Sequence, residues 1–249
     1  MSDFDRGLTR PAGVATPDMA VDAGLRAFML GVYNKLALGL VVSAILASLT
    51  GLYPPARALM FHVGANGQAS YTLLGAVVAF GPIAILLFQA FARRQSPQSA
   101  GLMYWIIVSM IGASLGLWFL RFTPIAIVQT FLVTATAFGG LSLVGYTTKR
   151  DLQPMGSFLI MGVWGLVIAM LASYFFHSGL MVFLINVVGL LIFAGLTAYD
   201  TQRLKLTYYH LGGDTAAMSA ATSWGALSLY LDFINMFQFL LYLMGGSRR

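Results

Sequence analysis

Apolar residues fall in long blocks along this chain, and the charges and prolines between them mark where each block ends. The first uncharged block runs from Leu36 to Tyr53 and stops at Pro54-Pro55, because proline lacks an amide hydrogen and clashes with the preceding turn. After a polar loop holding Arg57, His62 and Asn66, a second block extends from about Ser70 to Ala92 and ends at Arg93-Arg94. A third lies between Arg94 and Arg121, and a fourth between Pro124 and Lys149. The interval from Leu152 to Tyr199 carries no formal charge and is long enough for two crossings, with the break at His177-Ser178-Gly179. About 20 apolar residues suffice for a helix to cross the hydrocarbon of a bilayer, so these blocks predict six helices.

The last block needs a separate argument. Between Thr215 and Ser247 the one formal charge is Asp232, so the segment spans only if that aspartate lies within the membrane. Two shallow half-helices that dip in and return are the alternative. The run LSLYLDFINMFQFLLYLM offers no Gly or Pro at which to turn back, and a full seventh helix is expected.

Residues 1–26 differ from the rest. They hold Pro11 and Pro17, with Arg6, Arg10 and Arg26 among four aspartates, and show no period of 3.6. They predict a flexible cytoplasmic tail ahead of a membrane domain at 27–249. A cleavable signal peptide is not expected, because the apolar run begins only after Arg26.

Composition agrees with the block pattern. Apolar residues make up 59% and charged ones 9%, too few charges to coat a soluble globule, so an all-α integral membrane protein is expected. A net charge of +6 raises nucleic acid as a partner, but the placement of the basic residues favours the bilayer. With the amino terminus inside, Arg6, Arg10, Arg26, Lys35, Arg93, Arg94, Lys149, Arg150, Arg203 and Lys205 fall on the cytoplasmic side, against Arg57 and Arg121 outside. Seven crossings would leave Arg248 and Arg249 outside, against this trend. The absence of cysteine excludes disulfides and thiol chemistry, and His62, His177 and His210 lie in loops without ligand spacing. No cofactor is expected.

The candidate chemistry lies in two carboxylates. The chain has no glutamate, and of its eight aspartates Asp200 and Asp232 fall at or within apolar segments six and seven. An acid inside a spanning helix is costly and marks a functional site by default. Asn186, Phe193, Thr197 and Asp200 fall within about 60° on one helix face, and Ser228, Asp232 and Asn235 share another. Both stripes should face the bundle interior, since lipid leaves polar groups unpaired. Their depths do not match, because Asp200 closes its apolar block while Asp232 sits mid-block. An extension of helix six beyond the membrane, or a tilt, would reconcile them. Two carboxylates in a dry site cannot both ionise cheaply, so they should share a proton and titrate together. Such a pair can sense pH, pass protons, or bind a hard cation such as calcium, with Thr197, Ser228 and Asn235 in support. The plainer reading has Asp200 capping or pairing locally with Arg203, and Asp232 bonding to Asn235 or a neighbouring helix. Intramembrane aspartyl proteases also set one Asp on each of two helices, and Tyr199-Asp200 fits their first motif. The second, Gly-x-Gly-Asp, is absent, since Leu229-Tyr230-Leu231 precedes Asp232. No enzyme activity is expected.

Three separated runs carry a family resemblance: TATAFGGLSLVGYTTKRDLQPMGSFLIMGVWGL (134–166), FAGLTAYDTQRLK (193–205) and ALSLYLDFINMF (226–237). With GLRAFMLGVYNKLALGL (24–40), they resemble the bacterial branch of the Bax inhibitor-1 family. The resemblance implies seven transmembrane helices with the seventh central and surrounded by the other six, in the bacterial inner membrane. It also implies a pH-sensitive calcium leak in which Asp200 and Asp232 form the sensor and an arginine of helix two, Arg93 or Arg94, latches onto Asp200. The family pattern favours an acidic residue within helix two, which this chain lacks. The alternative implied function is a regulator that binds a membrane-bound protease without transport.

Overall fold

The computed structural model describes residues 19–64, 68–91, 96–176 and 178–245, and almost all of them are helical. The first helix, α1, covers Met19–Leu52. A seven-residue helix α2 (Pro54–Met60) leads into a hairpin of β1 (Phe61–Val63) and β2 (Ala69–Tyr71), paired antiparallel with His62 opposite Ser70. Then follow α3 (Leu73–Phe91), α4 (Pro97–Ser114), the short α5 (Leu117–Arg121), α6 (Pro124–Thr147), α7 (Gln153–Phe175), α8 (Gly179–Leu211) and α9 (Thr215–Met244).

The helix starts are written in local chemistry. Ser96 and Thr123 each stand before a proline and accept from the amides of Ser99 and Ala126 at 3.2 and 3.3 Å. Proline at the first helical position loses no hydrogen bond there, and the hydroxyl satisfies one of the free amides. Asp214 caps α9, its Oδ1 accepting from Ala216 and Ala217 at 2.9 and 3.1 Å. Gly212 closes α8 at φ 56°, a left-handed conformation that glycine adopts without steric cost.

Among the described residues six helices are long and apolar enough to cross a membrane: α1 from Ala23, α4 continued through α5, and α6 to α9. The remaining block, expected at 70–92, is shorter, because its first residues form β2 and the helix begins at Leu73. Helix α1 begins at Met19, so the last part of the segment read as a tail is helical. Charge misled the reading there, since Arg26 and Lys35 sit inside a continuous helix rather than before it. Residues 1–18, and the latch candidates Arg93 and Arg94, lie outside the described residues.

Helix α9 organises the packing. Of its apolar window 56% is buried, against 17% for α7, and α1, α4, α6 and α8 pack along it. Helix α3 leans mainly on α4, and α7 on α8, one layer out. The half-helix alternative for the last segment fails, because α9 is one unbroken helix whose ends lie at opposite ends of the bundle. Near its start Ser223 accepts from Lys35 Nζ; near its finish the Tyr242 ring meets Phe122 edge-on at 5.4 Å, and its hydroxyl accepts from Arg121. Arg121 also donates to the Ala69 carbonyl at 3.1 Å, tying the hairpin to that end.

Gly112 and Gly116, four apart, and Gly162 and Gly165 are small residues of the kind that let helices approach, yet they behave unequally. A Cβ on Gly112 would lie 2.5 Å from Ser43 Cα, and one on Gly116 would strike Thr50 and Gly51, so this pair brings α4 against α1. Gly162 faces Ile192 of α8, whereas a side chain on Gly165 would meet nothing within 4 Å.

Candidate functional site

The length of α8 settles the mismatch of depths. Its 33 residues reach about 50 Å at 1.5 Å per residue, well beyond the ~30 Å of hydrocarbon. The helix continues eleven residues past Asp200, so that residue lies inside α8 and not at its end. Both carboxylates are buried, Asp200 7% and Asp232 4% exposed.

The two polar stripes meet. Ser228 Oγ of α9 donates to Asp200 Oδ2 of α8, and Ser228 stands one turn before Asp232 on the same face. Asp200 and Asp232 lie within electrostatic reach of each other. No hydrogen bond joins the two carboxyl groups directly among the described residues; Ser228 bonds Asp200, and Asp232 Oδ2 is buried without a hydrogen-bond partner. Leaving such an atom unsatisfied costs about 1–3 kcal/mol or more, a strain that a proton or a cation at this oxygen would relieve.

Other residues of the predicted set take different positions. Thr197 Oγ1 donates to the Phe193 carbonyl at 2.9 Å and contacts Met236 Sδ at 3.4 Å, so it joins α8 to α9 one turn away. Asn235 Nδ2 donates to the Leu231 carbonyl at 2.8 Å on its own helix and not to Asp232. The described cation nearest Asp200 is Arg203, whose Nη1 is 3.7 Å from Oδ1. Its side chain is 64% exposed, and exposed pairs of this kind contribute little to stability.

Three glycines hold α8 tightly around Asp200. A Cβ on Gly145 of α6 would collide with the Ala198 carbonyl, on Gly156 of α7 with the Tyr199 ring, and on Gly225 of α9 with Leu204. Gly145 thus lies directly against the α8 backbone, while Gly156 and Gly225 make room for α8 side chains.

Sequence reading missed two features. Gln202, buried beside Asp200, accepts from the Leu152 amide at 2.8 Å and donates to the Arg150 carbonyl at 2.7 Å. It pins the α6–α7 loop to α8, and only a glutamine bracketed by apolar and small residues could have hinted at it. Gln202→Leu should orphan both backbone groups and cost about 1–3 kcal/mol; limited proteolysis should then cut the 148–152 loop faster than in the parent. The second feature is a polar track on the opposite side of α9. Lys35 Nζ donates to Ser223 Oγ at 2.7 Å and stands 5.2 Å over the Tyr104 ring. Tyr104 donates to the Lys35 carbonyl, and Tyr230 shares a 2.7 Å hydrogen bond with Ser43. Lys35 therefore serves inside the bundle and not as a loop charge.

Among the described residues no three His, Cys, Asp or Glu side chains gather as a metal site. What the arrangement offers is two buried carboxylates within electrostatic reach, one of them bonded to a serine hydroxyl, enclosed by helices.

Comparison with known proteins agrees with this architecture. A family model described as "Inhibitor of apoptosis-promoting Bax1" matches residues 25–249. A protein of Caulobacter vibrioides is 58% identical over the whole of both chains, and one of Rickettsia prowazekii is 36% identical, also over both in full. The inner membrane protein YbhL of Escherichia coli K12 is 34% identical over 91% of this chain and 94% of its own. A multi-pass helical bundle matched in this way over nearly its whole length belongs to the Bax inhibitor-1 family.

Proposed function

We propose that this protein is a non-enzymatic, pH-responsive calcium leak of the bacterial inner membrane, with Asp200 and Asp232 as its proton sensor. The observation that supports the reading best is the orphaned Asp232 Oδ2, buried within reach of a second carboxylate. Like charges so placed cannot both ionise cheaply, so the protonation of one depends on the other. Calcium is the cargo in this reading. It accepts carboxylate, hydroxyl and carbonyl oxygens in irregular geometry, which Asp200, Asp232 and Ser228 supply, with the Oδ1 of Asn235 one turn on.

The direction follows from charge. An ionised pair holds a cation, whether calcium or an arginine such as Arg93 or Arg94, and keeps the path shut. Falling pH protonates the pair, cancels that hold and raises the flux. In the proposed topology α3 is a seventh crossing: it starts beside the hairpin at the Arg121 end, and α4 starts again where Gly101 approaches Lys35 and Ser223. The amino terminus and the loops with Lys149 and Arg150 then face the cytoplasm, and YbhL's name as an inner membrane protein accords with that setting.

Purified protein reconstituted into vesicles loaded with a calcium-sensitive dye tests the proposal. Release should exceed that of protein-free vesicles and should rise as the medium is acidified; release equal to the protein-free control at every pH would refute it. The regulatory reading draws support from the family's description as an inhibitor. It predicts instead a stable complex with a membrane-bound protease, lost when residues 1–26 are removed.

A further inference from the structure

Helices α1 and α6 both pack on α9 but do not close on one another. The space between them is a groove of about 670 Å³, walled by Leu36 and Leu40 on one side and Phe138 and Gly139 on the other, with Phe233 of α9 as its floor. It continues toward the Arg121 end as a second apolar hollow of about 270 Å³, again over Phe233. The walls are mainly aliphatic and aromatic, and the groove is open on its outer side.

The mouth of the groove differs in character from its walls. Arg26, exposed and without an ion pair among the described residues, stands at the opening on the α1 side. On the α6 side Lys205 Nζ lies 5.3 Å over the ring of Tyr146, itself a lining residue, and donates to its carbonyl. Lys149 and Arg150 follow directly in the adjoining loop. The acid of that loop, Asp151, has its Oδ1 engaged by the Gln153 amide. An apolar slot ending in cationic groups at the membrane surface matches an amphiphile with a long hydrocarbon chain and an anionic head.

We propose that the groove between α1 and α6 holds an acyl chain of an anionic glycerophospholipid of the cytoplasmic leaflet, with its phosphate at Arg26. The chain packs on Phe138 and Phe233 and fills space that neither helix closes. This inference rests on the orientation given above but not on calcium flux, so either can fail without the other.

Phosphatidylglycerol carrying a photoreactive diazirine in its acyl chain is the probe, with the matching phosphatidylcholine as comparison, on the full-length protein in mixed micelles. Labelling should concentrate on peptides covering 29–40 and 135–146, and excess phosphatidylglycerol should suppress it where phosphatidylcholine does not. Two variants follow from the geometry. Arg26→Gln should reduce retained phosphatidylglycerol about fivefold in native mass spectrometry, the ratio given by ~1 kcal/mol per basic residue at a membrane surface. Gly139→Leu should fill the slot without a clash, since nothing lies within 4 Å of an added Cβ, and should abolish the focused labelling. Gly140→Leu, equally open on the neighbouring face, should leave it unchanged. Labelling spread evenly over α7 and the other lipid-facing helices, or indifferent to Gly139→Leu, would overturn the proposal and mean surrounding lipid only.

Discussion

In calcium-loaded vesicles Asp232→Asn should flatten the pH dependence of release, where the parent protein changes by up to about tenfold per pH unit, the most that one exchanged proton allows. Asparagine keeps the size of the side chain and lets the orphaned Oδ2 position become an amide, so the helix packing survives while the titration does not. Asp200→Asn should flatten the profile as well, because in the proposed mechanism its carboxylate and that of Asp232, within electrostatic reach, act as one unit. The double variant should match either single one, since two members of one titrating unit are not additive. A pH profile that persists unaltered in both single variants would remove the pair from the mechanism.

The second large effect concerns the crossing of α6 and α8. Gly145→Leu places a Cβ against the Ala198 carbonyl, and backbone cannot swing aside as a flexible side chain can. The helices must separate just where Asp200 is held. Overpacking of this kind costs about 1–3 kcal/mol, which lowers the melting temperature by roughly 5 °C for a chain of this size. Gly140→Leu, facing open space five residues earlier, supplies the control in the same thermal melt. Equal melting of the two variants would show that the crossing is looser than drawn.

Much of this was legible in the blocks of apolar residues, because lipid forces backbone groups to pair within helices and so ties span length to composition. The breaks at Pro54-Pro55 and before Gly179 appear where the chain turns, and the unbroken last segment is one helix. The start of α1 was not legible, since Arg26 and Lys35 interrupt its hydropathy, Arg26 exposed and Lys35 donating to Ser223 on α9. Nor did the face periodicity fix partners. It grouped Thr197 with Asp200 and Asn235 with Asp232, yet Thr197 turns to Met236 and Asn235 to its own backbone. Ser228 was found on the right face, but that it would bond Asp200 across to α8 depends on the relative height of two helices, which no single-chain pattern encodes.

The extra length of α8 gives the molecule a direction. Arg203, beside Asp200, is exposed while Asp232 is sealed, so in the proposed mechanism protons arrive from the face where α8 extends and meet Asp200 first. A rapid acid jump applied to that face alone should therefore trigger the response promptly, whereas the same jump across the bilayer should act only after protons have equilibrated.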